Sequence, residues 1–299
     1  MKSEKASSKQ KISKKKMNRR QAIKVLGVGG AISGAAVVNA ATTVDKGPDI
    51  SFSDQLGHFF QQHYHKMSRE EIQQTLARLE RRYKAIYQKD IKVGNTPPQE
   101  NVLFGYALNI SKCKGYRECV KACTLVNNQS RSPEIQYIRV LEMDEGSLDL
   151  EESNHYYDNS ENVPREGKYY LPVQCHQCEN PPCVKACPVN APWMEKDGVV
   201  VIDYNWCIGC RMCLNACPYW ARRFNWNEPV LPKDEINPET DYLSNRPREK
   251  GVTEKCFFCL QRTRKGEMPA CQAACPTGAR VFGNLLDPQS EIRKVLENK

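Results

Sequence analysis

Apolar positions along this chain form one long helical stripe and several short alternating runs. Ile72, Leu76, Leu79, Tyr83 and Ile86 recur at three- and four-residue steps, which predicts an amphipathic helix ending near Lys89. Ser68-Arg69-Glu70-Glu71 supplies a capping box at its start. A shorter helix is expected over 54–64. Strands are expected over 104–110, 135–143, 168–173 and 199–202, the last entered through an Asp197-Gly198 turn. The charged helix face (Glu80, Arg81, Arg82, Lys84) reads as solvated, and the apolar stripe as lying on the body of the chain or on a partner protein. Asn95-Thr96-Pro97-Pro98 reads as a linker. Residues 219–255, with Pro229, Pro232, Pro238 and Pro247, read as a long coil wrapping the surface.

Charge changes this picture in one place. The chain of 299 residues carries a formal charge of +9, which raises the question of nucleic acid. Ten Lys and Arg against one acid lie within residues 1–40, however, and the remainder balances at 34 basic and 34 acidic residues. The excess belongs to the leader, so no nucleic-acid partner is expected. Asn18-Arg19-Arg20-Gln21-Ala22-Ile23-Lys24 resembles a twin-arginine export motif, although Phe and Leu commonly stand where Ala22 and Ile23 do. An apolar run over 25–38 and the small-residue end Val38-Asn39-Ala40 complete a signal segment, too short for a comfortable membrane span. This implies a protein exported folded into the periplasm, soluble or peripheral to the membrane.

Fifteen cysteines dominate the chemistry, and their spacing is that of metal ligands rather than loop-closing bridges. Cys175, Cys178, Cys183 and Cys187-Pro188 read C-x2-C-x4-C-x3-C-P; Cys207, Cys210, Cys213 and Cys217-Pro218 read C-x2-C-x2-C-x3-C-P. In such runs three close thiolates grip one cubane, and the fourth, before a proline, serves the other run's cluster. One cluster then takes Cys175, Cys178, Cys183 and Cys217, and its mate takes Cys207, Cys210, Cys213 and Cys187. Zinc would use four ligands in two pairs, which two four-cysteine runs do not match. Gly209 lets the backbone pass close to inorganic sulfur.

The outer groups are Cys113, Cys119 and Cys123, then Cys256, Cys259, Cys271 and Cys275-Pro276. The same exchange of fourth ligands gives Cys123 to the cluster of Cys256, Cys259 and Cys271, and joins Cys275 to Cys113 and Cys119. Tyr116 replaces the expected cluster cysteine there. The preferred cofactors are three 4Fe–4S clusters and one 3Fe–4S cluster at this altered site. A 4Fe–4S cluster with tyrosinate or water on its unique iron, or an empty site, are the alternatives. Lys114 adds positive charge beside Cys113 and would favour a reduced cluster.

The remaining features read more plainly. His58, His63 and His65 are better taken as ordinary side chains than as haem ligands, since no C-x2-C-H attachment site is present. The acidic tip (Asp144, Glu145, Asp149, Glu151, Glu152) is a solvated loop in preference to a docking surface for a basic partner. The basic run Arg262-Thr263-Arg264-Lys265 reads as a surface loop touching a partner or water. No nucleotide-binding glycine fingerprint or nucleophile elbow occurs, so no catalytic residue is assigned. A dehydratase-type open iron at the Tyr116 site would need substrate-binding groups, and only Lys112, Lys114 and Arg117 lie near it in sequence.

Cys-His-Gln-Cys-Glu-Asn-Pro-Pro-Cys (175–183), Cys-Ile-Gly-Cys-Arg-Met-Cys (207–213) and Cys-Pro-Thr-Gly-Ala-Arg (275–280), with the order of the four groups and the leader, resemble a known family. It is the four-cluster electron-transfer (beta) subunit family of molybdopterin oxidoreductases: polysulfide and dimethyl sulfoxide reductases, formate dehydrogenase, and the nitrite- and sulfite-reduction-associated and alternative quinol-oxidising complexes. The resemblance covers about residues 100–285. It implies an α+β fold of two nested bacterial-ferredoxin-like modules with surface insertions and a helical N-terminal extension. The expected divisions are 1–40 (signal), 41–100 (helical extension and linker), 101–130 with 250–285 (first and last module), 131–249 (insertion and inner module) and 286–299 (tail). It also implies partners: a membrane quinone-reactive subunit facing the inner module, and a molybdopterin catalytic subunit or c-type cytochrome at the other end. Family members usually carry sixteen cysteines, so Tyr116 is a departure, and some relatives hold a 3Fe–4S cluster where an aromatic residue replaces a ligand. A stand-alone soluble polyferredoxin is the alternative.

Overall fold

A computed structural model describes residues 66–157 and 162–297. The twin-arginine motif, the helix expected over 54–64 and the three histidines of that region lie outside the described residues. None of the described helices is long and apolar enough to cross a membrane.

Helix α1 spans Arg69–Tyr87. Its capping box is formed from both sides, Glu71 N–H donating to Ser68 Oγ at 3.2 Å and Ser68 N–H to Glu71 Oε2 at 3.0 Å. Leu79 and Tyr83 are its buried positions, so the apolar stripe lies on the body of this chain. Tyr83 donates its hydroxyl to Pro247 O at 3.0 Å, and Arg82 pairs with Glu249. Burying two such side chains contributes about 1.5–3 kcal/mol each.

Short strands carry the rest of the fold. β1 (Lys92–Gly94) runs parallel to β8 (Glu239–Asp241). β2 (Phe104–Leu108) pairs antiparallel with β10 (Arg280–Asn284), closing the two ends of the cysteine-bearing body. β3 (Arg139–Asp144) and β4 (Lys168–Val173) form the hairpin whose acidic tip is exposed. β5 (Pro192–Met194) and β6 (Val200–Ile202) form a second, smaller hairpin between two cysteine runs. β7 (Arg223–Phe224) pairs with β9 (Thr253–Glu254). The architecture is α+β, with small two-stranded sheets and short helices rather than one large sheet.

Two expectations are corrected. Residues 240–248 of the proline-rich coil are buried, not wrapped over the surface. α1 and β1 cover them, and the polar groups this buries find partners inside: Arg246 donates to Tyr242 O at 2.8 Å and to Tyr83 Oη at 3.1 Å. Arg248 lies 3.0 Å from Glu254 with both side chains 1% exposed. The basic run 262–265 is likewise no open loop at its third position. The Arg264 side chain is fully buried and pairs with Asp197 at 2.7 Å and with Glu195, while donating to Thr96 O at 2.8 Å. It ties the segment expected as a linker to the turn before β6, its two carboxylates offsetting the cost of burying the guanidinium.

Candidate iron–sulfur centres

Short helices deliver the cysteines. α2 (Glu118–Val126) holds Cys119 and Cys123, α3 (Pro182–Lys185) holds Cys183, and α4 (Met212–Asn215) holds Cys213. α5 (Leu260–Thr263) follows Cys259, and α6 (Ala270–Ala273) holds Cys271. α2 packs on α6, and α3 on α4. Arg117 and Arg211, the residues capping α2 and α4, are both left-handed at φ 58° and 65°. Each stands directly after Tyr116 or Cys210, so Tyr116 occupies in the outer group the backbone place that Cys210 occupies in the inner one.

The fold gathers the thiols in groups. Cys175, Cys178, Cys183 and Cys217 line one small cavity, and Cys187, Cys207, Cys210 and Cys213 line another. Cys123 lies within electrostatic reach of Cys256, Cys259 and Cys271. Asn127 Nδ2 stands 3.5 Å from both Cys123 Sγ and Cys259 Sγ. Cys113 is in reach of Cys119 and Cys275. None of the fifteen cysteines is in a disulfide. Tyr116 is 38% exposed, and Lys114 also faces solvent.

Burial raises several of these thiols. It pushes Cys187 up to about 11 and Cys271 up to about 12, and raises Cys123 and Cys259 as well. Cys275 moves down instead: burial pulls it upward, but the Thr277 hydroxyl and the amides of Thr277 and Ala279 outweigh it. The same amide pattern, two and four residues on, serves Cys187 from Val189 and Ala191. The proline after each of these cysteines breaks the helix and turns those N–H groups toward sulfur. Thiols held protonated at neutral pH must release protons when they take up iron.

Further N–H donors aim at sulfur, an arrangement that helps set cluster potential. Gln129 reaches Cys123 Sγ at 3.2 Å, and the Phe258 amide reaches Cys256 Sγ at 3.4 Å. Arg222 reaches Cys183 Sγ at 2.8 Å and Arg280 reaches Cys119 Sγ at 3.3 Å. The two arginines were not singled out from sequence as sulfur neighbours, although C-P-x-x-A-R at 217–222 and again at 275–280 was there to be read. Among the described residues no group of three or more His, Cys, Asp or Glu converges on a point suited to a single metal ion. Zinc thiolates sit about 2.3 Å from one ion. Thiols spread around a cavity, with N–H donors behind them, fit a multinuclear cluster instead.

Residues shared between groups fix their order. Arg222 lines both inner cavities. Gln177 Nε2 donates to Cys256 O at 2.7 Å, and the buried Lys255 Nζ donates to that same oxygen at 2.8 Å while its charge is felt at Cys175. Arg280 touches Cys119 and acts on Cys271. Adjoining groups are therefore linked in this order: that of Cys207, that of Cys175, that of Cys256, then that of Cys113. A larger groove of about 1050 Å³, lined mainly by apolar side chains such as Leu108, Leu171, Met194 and Trp220, opens beside Cys175.

Comparison with known proteins agrees with this chemistry. A family described as a 4Fe-4S dicluster domain matches residues 167–237 and 242–285. A putative iron-sulfur subunit of dimethyl sulfoxide reductase from Halobacterium salinarum is 41% identical over 193 residues, covering 64% of this chain and 70% of that protein. A selenate reductase subunit from Mesobacillus selenatarsenatis is 33% identical, covering 70% of each. The Hdr-like menaquinol oxidoreductase iron-sulfur subunit 1 of Archaeoglobus fulgidus is 42% identical, covering 60% of this chain and 64% of that one.

Proposed function

Because this chain belongs to the 4Fe-4S dicluster family of reductase iron–sulfur subunits, and is an electron-transfer subunit rather than a catalytic one, we propose that it relays single electrons along four clusters arranged in a row. The single observation that carries this is the shared residues: Arg222, then Lys255 with Gln177, then Arg280 each stand between two neighbouring cysteine groups.

Cys187, Cys207, Cys210 and Cys213 hold the first 4Fe–4S cluster, and Cys175, Cys178, Cys183 and Cys217 the second. Cys123, Cys256, Cys259 and Cys271 hold the third. Cys113, Cys119 and Cys275 hold a 3Fe–4S cluster, with Tyr116 in the place of the fourth ligand. When bound, each cluster supplies a site that accepts and returns one electron without making or breaking bonds. The chain's part is to exclude water, fix the spacing and set the local charge.

Two nested ferredoxin-like modules account for the connectivity. The β5–β6 hairpin joins the two inner cysteine runs directly, while the β2–β10 pair ties together the outer runs at either end of the body. The partners we assign are a membrane quinone-reactive subunit and, at the opposite end, a molybdopterin enzyme or a c-type cytochrome. The leader carries the folded protein to the periplasm by the twin-arginine route. The test is anaerobic mixing of the membrane-bound complex with a quinol analogue. Bleaching of the cluster absorbance, abolished by Cys210→Ser, supports the relay; clusters reducible by dithionite but never by quinol overturn it.

A further inference from the structure

Cys217-Pro218-Tyr219-Trp220-Ala221-Arg222 and Cys275-Pro276-Thr277-Gly278-Ala279-Arg280 are one C-P-x-x-A-R segment written twice. The structure uses both copies alike. Arg222 and Arg280 are 4% and 3% exposed. Each donates to the sulfur of a cysteine in another run, Cys183 in one case and Cys119 in the other. Each also faces a second group, Arg222 through the cavity of Cys207, Cys210 and Cys213, and Arg280 through Cys271. The other two cysteine groups lack the feature: the position five residues after Cys187 is Pro192, and after Cys123 it is Asn128.

Neither guanidinium has an ordinary counter-charge. Among the described residues Arg222 has no carboxylate partner, and Arg280 adds only the neutral Tyr106 hydroxyl and Gln174 Oε1 at 2.8 Å. Arg264 and Arg248, equally buried, each have carboxylates beside them. A buried charge left uncompensated is strongly unfavourable, so something anionic belongs next to Arg222 and Arg280. Thiolate-bound clusters are anionic and lie on both sides of each.

We propose that Arg222 and Arg280 are a matched pair of potential-setting residues, Arg222 standing between the two inner clusters and Arg280 between the two outer ones, whose fixed charge stabilises the reduced state on both sides. This rests on the iron–sulfur reading above. Reduction brings one electron, and so one negative charge, to the cluster. The guanidinium keeps its proton throughout, since arginine does not titrate in proteins. Its attraction for the added charge is large because both are out of water. The direct N–H to sulfur contact lies on one side only, so the clusters of Cys183 and of Cys119 feel it most.

Redox titration followed by electron paramagnetic resonance, on the full chain with its co-purifying partners, tests this in four variants: Arg222→Gln, Arg222→Lys, Arg280→Gln and Arg280→Lys. Arg222→Gln is expected to reduce the equilibrium for reduction of the Cys183 cluster at least tenfold, a fall of about 59 mV for a one-electron couple. Its neighbour should fall less, and the outer couple should not move. Arg280→Gln should do the reverse. Each Lys variant should recover more than half of the shift. Gln variants that retain full iron and unchanged potentials overturn the proposal, as do Lys variants shifted as far as Gln. Should a Gln variant lose iron, its Lys counterpart decides: loaded with near-native potentials it supports a charge role, and iron-depleted it overturns the proposal by showing that arginine's shape alone matters. Wild-type chain that carries no iron would instead refute the iron–sulfur reading itself.

Discussion

His176 lies flat against Tyr219, ring centroids 3.8 Å apart and planes 6° from parallel. One residue follows Cys175 and the other follows Cys217-Pro218, so the stack clasps two cysteines that are 42 positions apart in sequence. Both rings line the cavity those cysteines surround, and both are exposed on their outer side. They form a thin aromatic cover between that site and solvent.

Tyr219→Ala should therefore cost little stability, on the order of 0.5–1.5 kcal/mol for the lost stack beyond its buried area. Its larger effect should be on cluster retention. Iron release to a chelator, followed by absorbance, is expected to gain a fast phase absent from the native chain; a single unchanged phase would show that the cover does not protect the cluster.

Gly209 sits at φ +75°, and a Cβ there would meet Gly251 O at 2.3 Å. Backbone cannot yield as a flexible side chain can, so Gly209→Ala is expected to cost about 1–3 kcal/mol in strain and to displace Cys210. Iron analysis should find the complement of one cluster missing, with the others intact. Full occupancy would mean that the loop tolerates a side chain.

Glu254 and Arg248 are a buried pair, with Tyr137 donating to the same carboxylate. Glu254→Ala removes the anion beside a fully buried guanidinium. The expected loss is about 3–5 kcal/mol, seen as a shifted denaturation midpoint. A double variant, Glu254→Leu with Arg248→Met, should recover much of it, because an apolar pair leaves no charge uncompensated. Equal losses in the single and double variants would contradict this.

Tyr116→Cys offers a fourth thiol at the place that Cys210 holds in the inner group. The altered site should then keep an additional iron atom and become silent to electron paramagnetic resonance when oxidised. An unchanged oxidised signal would show that the position does not face the cluster.

The cysteine runs were legible because ligand spacing is local: at Cys187 and Cys275 the proline and amides that aim the thiol lie within five residues of it. α1 was legible for the same reason, its stripe and its capping box being periodic signals within one element. Arg264 was misread as a surface charge because its partners, Glu195 and Asp197, come 69 and 67 positions earlier. Nothing in a run of basic residues reveals carboxylates brought in from elsewhere. The coil over 240–248 was misplaced because most of its buried residues are polar, and hydrophobic patterning does not detect a segment satisfied by hydrogen bonds. Strands of two or three residues, such as β7 and β9, are too short to show alternation.

Electron paramagnetic resonance on anaerobically purified protein, before and after oxidation and with an iron and zinc count, bears most directly on the four-cluster relay. The expected result is a near-isotropic oxidised signal of one spin per chain, lost in Cys113→Ser, together with iron for three cubanes and one three-iron cluster. Iron for only three cubanes and no such signal would shorten the row by its outermost site, and zinc in place of iron would contradict the account altogether.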